Sequence, residues 1–112
     1  MPNQSPNLDT LFHALADPTR RAVVERLTRG PAAMTELAAP FDMALPSFLQ
    51  HLRVLERCGL VSSRKAGRVR TYTLKPQRLE KAEGWLQKQK MIWDKRLDQL
   101  DAYVLAMKDA QK

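Results

Sequence analysis

The sequence predicts a mostly α fold with one small β-ribbon (α+β) and a long closing helix. Three observations carry that prediction. Apolar residues recur at helical spacing in four short stretches before position 58 and again between about 77 and 107. Between these blocks, Leu60 to Leu74 alternates in the manner of a hairpin around Gly67. Finally, the window between Glu56 and Glu80 holds seven basic residues (Arg57, Arg64, Lys65, Arg68, Arg70, Lys75, Arg78) and no acidic one. That window therefore reads as a binding surface more than as evenly solvated exterior.

Leu8, Leu11, Phe12 and Leu15 stand at i, i+3, i+4 and i+7 and give a first helix one apolar stripe. Asp17-Pro18-Thr19-Arg20 restarts the chain, with Asp17 as cap and Pro18 at the first helical position, where its missing N–H costs nothing. The second helix is expected to bury Ala22, Val23 and Leu27 and to stop at Gly30-Pro31. A short third helix has Thr35 as its expected cap, Glu36 near the positive helix end and Leu37 and Ala38 inward, and Pro40 closes it. The fourth helix opens at Leu45-Pro46 and takes Leu45, Leu49, Leu52 and Leu55 as its core stripe. Gly59 ends it in the left-handed conformation that glycine tolerates best. Two strands follow, Val61 to Lys65 and Val69 to Leu74. In the last helix Trp93, Leu97, Leu100, Val104 and Met107 are spaced 4, 3, 4, 3, a heptad seam. Met1 to Pro6 and the residues after Lys108 read as frayed ends.

With 112 residues the chain is expected to form one domain over 1–112. Its parts are a helix-turn-helix at about 34–58, a wing at about 60–74 and a C-terminal dimerisation helix at about 77–107. A net charge of +7 and a pI of about 10 point to an anionic partner, with nucleic acid ahead of a membrane surface. No apolar run approaches a membrane span, and the N-terminus lacks a basic-then-apolar leader, so the expected location is the cytoplasm. A single cysteine, Cys58, leaves no disulfide framework and no thiolate-rich metal cage within one chain.

Two short helices joined by a turn and followed by a β-ribbon make a winged helix-turn-helix. The residues that build it resemble the arsenic-repressor (ArsR) family of bacterial transcription regulators. The resemblance rests on Ala16-Asp-Pro-Thr-Arg-Arg, Thr35-Glu-Leu-Ala, the run from Gln50 to Val61, and Gly67-Arg-Val-Arg-Thr-Tyr72, in that order over positions 16 to 74. It implies a homodimer that represses transcription from a partly palindromic operator, with the fourth helix in the major groove and the first and last helices building the dimer. The chain departs from the family pattern where Leu49 replaces a serine two residues before His51-Leu52. It departs again in lacking cysteines in the third helix and any histidine or cysteine in the last, so no metal site is expected.

The expected DNA-binding residues are Ser47, Gln50, His51 and Arg53 on the fourth helix and Lys65, Arg68 and Arg70 on the ribbon. Amide, hydroxyl and guanidinium groups suit base edges and phosphates. His51 has two open readings, a phosphate contact or a hydrogen bond across to the second helix. The ribbon arginines also have a second reading, as solubilising charge on a sheet edge. The expected dimer residues are Leu8, Leu11, Phe12, Trp93, Leu97, Leu100 and Val104. Trp85, Trp93 and Tyr103 read as core or dimer seam, or as the lining of an effector pocket. Cys58 reads as a packing residue, or as a redox sensor beside Arg57. No catalytic constellation is present: there is no glycine-rich phosphate cradle, no paired carboxylates in an apolar setting, and Cys58 has no recognisable base. No cofactor is expected. The partners are double-stranded DNA, a second copy of the chain and, as an open alternative, a small-molecule or protein effector. The competing function class is a dimeric adaptor or sequestering protein on the same scaffold; arginines at a wing tip favour DNA.

Overall fold

The computed structural model describes residues 6–110. Its order is α1 (Pro6–Leu15), α2 (Pro18–Leu27), β1 (Ala32–Ala33), α3 (Met34–Ala38), α4 (Leu45–Arg57), β2 (Val61–Ala66), β3 (Val69–Leu74) and α5 (Gln77–Ala110). Helix α1 takes in Pro6 and α5 continues past Lys108. The rest of the two stretches expected to fray, Met1–Ser5 and residues 111–112, lies outside the described residues.

The chain falls into two compact units that meet in sequence between Ala82 and Glu83. The first holds the core: Leu11 of α1, Val23, Val24 and Leu27 of α2, Leu37 of α3, and Phe48, Leu52 and Leu55 of α4 are all buried. Leu60, Val61 and Tyr72 close the core from the sheet side.

Helix junctions form where the sequence puts its punctuation. The Asp17 carboxylate accepts the Arg20 backbone N–H at 3.0 Å, and Pro18 fills the first turn of α2. That backbone donor, ahead of weaker help from the Arg20 charge, holds the Asp17 carboxyl below the usual carboxylate range. Helix α4 ends in a Schellman motif: Gly59 N–H donates to Glu56 O at 3.0 Å and Leu60 N–H to Leu55 O at 3.1 Å. Gly59 adopts φ +83°, which strains any L side chain, and a Cβ there would also have to push aside the Arg78 side chain, 2.7 Å away at Nε.

Four local expectations are corrected. The core stripe of α4 begins at Phe48, which stacks on Phe41 with ring centroids 5.4 Å apart. Leu45 is 47% exposed and Leu49 half-buried. Phe48, Leu52 and Leu55 are also spaced 4 and 3, and the larger aromatic side chain takes the inward path. In α2 the inward residue is Val24, with Ala22 only half-buried. Helix α3 starts at Met34 with Ala33 as cap residue, so Thr35 lies inside it. Glu36 Oε1 supplies the missing acceptor for Ala33 N–H at 3.1 Å. The sheet has three strands in the order β1-β3-β2, because Ala32 and Ala33 pair with Tyr72 and Thr71.

The second unit, from Glu83 on, is the remainder of α5. Every residue of it from Glu83 to Ala110 is exposed, including Trp93 at 61%, Leu97 at 44%, Leu100 at 56% and Val104 at 42%. A lone helix has no second element within its own unit against which to bury a stripe.

Candidate nucleic-acid interface

Two surfaces carry the residues singled out from the sequence. The first is the outer face of α4. Burial of Phe48, Leu52 and Leu55 turns Ser47, Gln50, Arg53 and Arg57 to solvent, as helical spacing requires. Ser47, Gln50 and His51 border one shallow groove with Arg20, Pro46 and Val54. Gln50, Arg53 and Arg57 border the next. The helix has no acidic residue in its first turn and no side-chain cap at Ala44, so no carboxylate within that turn offsets its positive end.

The second surface is the ribbon. β2 and β3 are paired from Val61 opposite Leu74 to Ala66 opposite Val69, leaving Gly67-Arg68 as a two-residue loop, with φ +62° at Gly67. Side chains alternate across a sheet, so Val61, Ser63 and Lys65 share a face with Arg70, Tyr72 and Leu74. Tyr72 shows which face this is, since it is buried against the core. Lys65 and Arg70 are therefore turned the same way as Tyr72, while Arg64 points to the other side. The outcome is a groove of about 400 Å³ between α4 and the wing, in which Arg53 meets Lys65, Arg68 and Arg70. Glu56, at its inner edge, is the one acid lining it. Spacing alone placed the three ribbon cations near the tip; their meeting with Arg53 is a tertiary fact.

His51 follows the second of its two readings in this structure. Its Nδ1 lies 3.1 Å from Arg20 Nη1. A guanidinium has no acceptor, so Nδ1 accepts and the ring proton sits on Nε2. In that state the 3.7 Å approach of Nδ1 to Asp17 Oδ2 is a contact and no ion pair. Arg20 reaches further. Its Nε donates to Ala14 O at 2.7 Å and its Nη2 to His13 O at 3.1 Å, while Arg21 Nη1 donates to Leu15 O at 2.8 Å. The two arginines thus satisfy the open carbonyls at the end of α1, and Arg20 also holds α4 by His51. Sequence reading singled out neither role. The signal was the Asp-Pro-Thr-Arg-Arg run itself, whose arginines follow a capped helix start.

The expected dimer residues divide. Trp93, Leu97, Leu100 and Val104 are exposed, and Leu8 and Phe12 are half-buried against the core. Leu11, at 1% exposure, sits inside the first unit and belongs to no surface. Leu11 belongs to the same buried cluster as Val23, Val24 and Leu27 of α2, and that burial removes it from the set. Cys58 is buried, its S–H directed to Leu55 O at 3.3 Å, and burial pushes the thiol above its ordinary value. A protonated buried thiol is a weak nucleophile and a weak metal ligand. Among the described residues no group of three or more His, Cys, Asp or Glu is placed to hold a metal ion, and no helix is long and apolar enough to cross a membrane.

A helix-turn-helix followed by a basic wing defines a class, the DNA-binding regulators of transcription, and comparison with known proteins agrees. Residues 15–64 match the family model of a helix-turn-helix domain. The HTH-type transcriptional regulator Rv2034 of Mycobacterium tuberculosis is 50% identical over 68 residues, 61% of this chain and 64% of that protein's length. The transcriptional repressor SdpR of Bacillus subtilis is 28% identical over 79 residues, 70% of this chain and 88% of its own. The crystal structure of an ArsR family transcriptional regulator superposes with a TM-score of 0.79 at 49% identity, covering 84% of this chain and 97% of the other. The chain belongs to the ArsR family of transcription regulators. These relatives are regulators of transcription.

Proposed function

We propose that two copies of this chain bind a partly palindromic operator and repress transcription from it. The observation that carries the proposal is the single groove in which Arg53 of α4 and Lys65, Arg68 and Arg70 of the wing converge beside the open face of Ser47 and Gln50. In this reading α4 enters the major groove and the cations flank it on phosphate. His51, with its proton on Nε2, offers that N–H to a phosphate oxygen while Arg20 occupies Nδ1. Repression is supported by the name of one relative, the Bacillus repressor.

In this proposal the second copy docks on the row Trp93, Leu97, Leu100 and Val104 of the second unit and, as a separate patch, on Leu8 and Phe12 of the first. A row of large apolar side chains left in water is uncommon in a monomer. Two-fold symmetry then sets two recognition helices about 34 Å apart, one turn of duplex. The two units act as one functional domain per copy, in the cytoplasm where the chromosome lies.

The test is fluorescence anisotropy with duplex from upstream of the protein's own gene and with random duplex, over a range of salt. Each phosphate neutralised contributes about 0.9 to the slope of log K against log salt. Arg68→Ala is expected to weaken both duplexes and flatten the slope by about 1. Gln50→Ala is expected to cost about 1–3 kcal/mol on the operator and little on random DNA. Equal losses on both duplexes for Gln50→Ala would move that residue from base reading to backbone holding. A wild type that binds neither duplex even at low salt would remove DNA binding and leave the adaptor reading.

A further inference from the structure

A hydrogen-bonded chain crosses from the recognition helix to the wing and ends on one of the groove's cations. Ser63 Oγ donates to Glu56 Oε2 at 3.1 Å, and Arg70 Nη1 donates to Ser63 Oγ at 2.8 Å. Glu56 belongs to α4, Ser63 to β2 and Arg70 to β3. We propose that Ser63 is a positioning residue for DNA binding: anchored by Glu56, it holds the Arg70 guanidinium at a fixed place relative to the recognition helix. The proposal rests on the reading of the wing as a phosphate contact and deepens it.

The chemistry suits a relay. A hydroxyl has one proton to give and lone pairs to receive, so Ser63 can serve a carboxylate and a guanidinium together. Donation to the carboxylate polarises the O–H bond and makes its oxygen a better acceptor for Arg70. The sheet register provides the reach: Ser63 is opposite Tyr72, so Arg70 is its diagonal neighbour on the same face. Ser63 is half-buried and Arg70 exposed, which fixes one end of the chain and leaves the guanidinium's remaining donors free for an anion. The arrangement also accounts for an acid in an otherwise basic groove. Glu56 repels phosphate at long range, yet its place at the inner edge lets it hold the hydroxyl that holds the arginine. An arginine already ordered loses less rotamer freedom when DNA arrives.

Operator affinity and its salt slope separate position from charge. Arg70→Ala is expected to weaken binding roughly tenfold, the equivalent of one charge-assisted hydrogen bond, and to flatten the slope by about 0.9. Ser63→Ala is expected to weaken binding at an unchanged slope, because the charge stays and only its placement is lost. Ser63→Thr, which keeps the hydroxyl, should restore wild-type affinity. In an Arg70→Ala background, Ser63→Ala should have no further effect. Glu56→Ala and Glu56→Gln remove the same charge, but only glutamine still accepts from Ser63, so the alanine variant should bind more weakly. Thermal unfolding of each variant confirms that the fold is intact.

Independent, additive losses from Ser63→Ala and Arg70→Ala would overturn the proposal, as would equal affinities for the two Glu56 variants. If Arg70→Ala neither weakens binding nor flattens the slope, Arg70 is not on DNA. The wing reading then fails for that residue and takes the proposal with it, a result distinct from additivity.

Discussion

Helix α4 and the part of α5 beyond Ala82 both carry a row of apolar residues at helical spacing, yet the rows end in opposite states. Along α4, Phe48, Leu52 and Leu55 are buried within the first unit, and the polar face is what remains for solvent. Along Glu83–Ala110 the apolar stripe is itself the exposed surface, from Trp85 to Met107. The difference teaches that a heptad row marks a surface that will be buried without saying by which chain. In α4 the stripe is a statement about this chain's own fold. In the later part of α5 it becomes, under the proposed function, a statement about a second copy.

The sharpest way to break that contrast is Leu100→Asp. A charge in the seam should yield monomers by sedimentation equilibrium and lower operator affinity by roughly 10²–10⁴-fold, the gain that joining two binding modules supplies. Unfolding of the first unit should be unaffected. If the wild type sediments as a monomer at micromolar concentration, the two helices differ for some other reason.

Phe48→Ala attacks the other side of the comparison. Emptying a buried aromatic site costs about 3–5 kcal/mol, a large part of the stability of a domain this size. Urea unfolding at a fixed protein concentration should show that loss. Leu97→Ala should show far less in a monomeric Leu100→Asp background, because its side chain is already in water there. Similar losses at the two sites would mean that α5 has a core of its own.

The smallest effect concerns the junction before α2. Asp17→Ala should destabilise the protein by about 0.5–2 kcal/mol at pH 7. Because the folded state holds the Asp17 carboxyl below its ordinary range, its contribution is fully present above that range and is lost as pH falls through the lowered folded value. Wild type and variant should therefore converge in acid unfolding experiments as pH falls below the lowered folded value, and a gap that stays constant through the acid range would mean the carboxylate is not the cap.

Much of the fold was legible because its boundaries are local. Asp17-Pro18, Gly30-Pro31, Gly59 and Gly67 each act through a few consecutive residues, and the elements begin and end around them. The strand β1 was not legible. Ala32 and Ala33 carry no strand preference and pair only because Thr71 and Tyr72 arrive beside them. The α4 stripe was right at Leu52 and Leu55 and misplaced at its start, since 45, 49, 52, 55 and 48, 52, 55 both fit helical spacing and the packing of Phe48 on Phe41 lies outside the helix's own sequence. The site divides in the same way. The hairpin pattern around Gly67 was enough to place Lys65, Arg68 and Arg70 near the tip, while the shared face of Lys65 and Arg70 follows from the strand register. Arg53 joining them, His51 meeting Arg20 across 31 positions, and Ser63 linking Glu56 to Arg70 depend on packing between elements.

The Arg20 side chain sets how the sequence can drift at its position. It donates in three directions, to two carbonyl oxygens of α1 and to a ring nitrogen of α4. Only a planar fork with several fixed N–H bonds can do this, so lysine, with its single ammonium at the end of a flexible stem, is no substitute despite equal charge. Arg21 makes one exposed bond to Leu15 O, which an ammonium can also make. In a saturation library selected for folding, two adjacent arginines should therefore part company, the first confined to arginine and the second free to exchange with lysine.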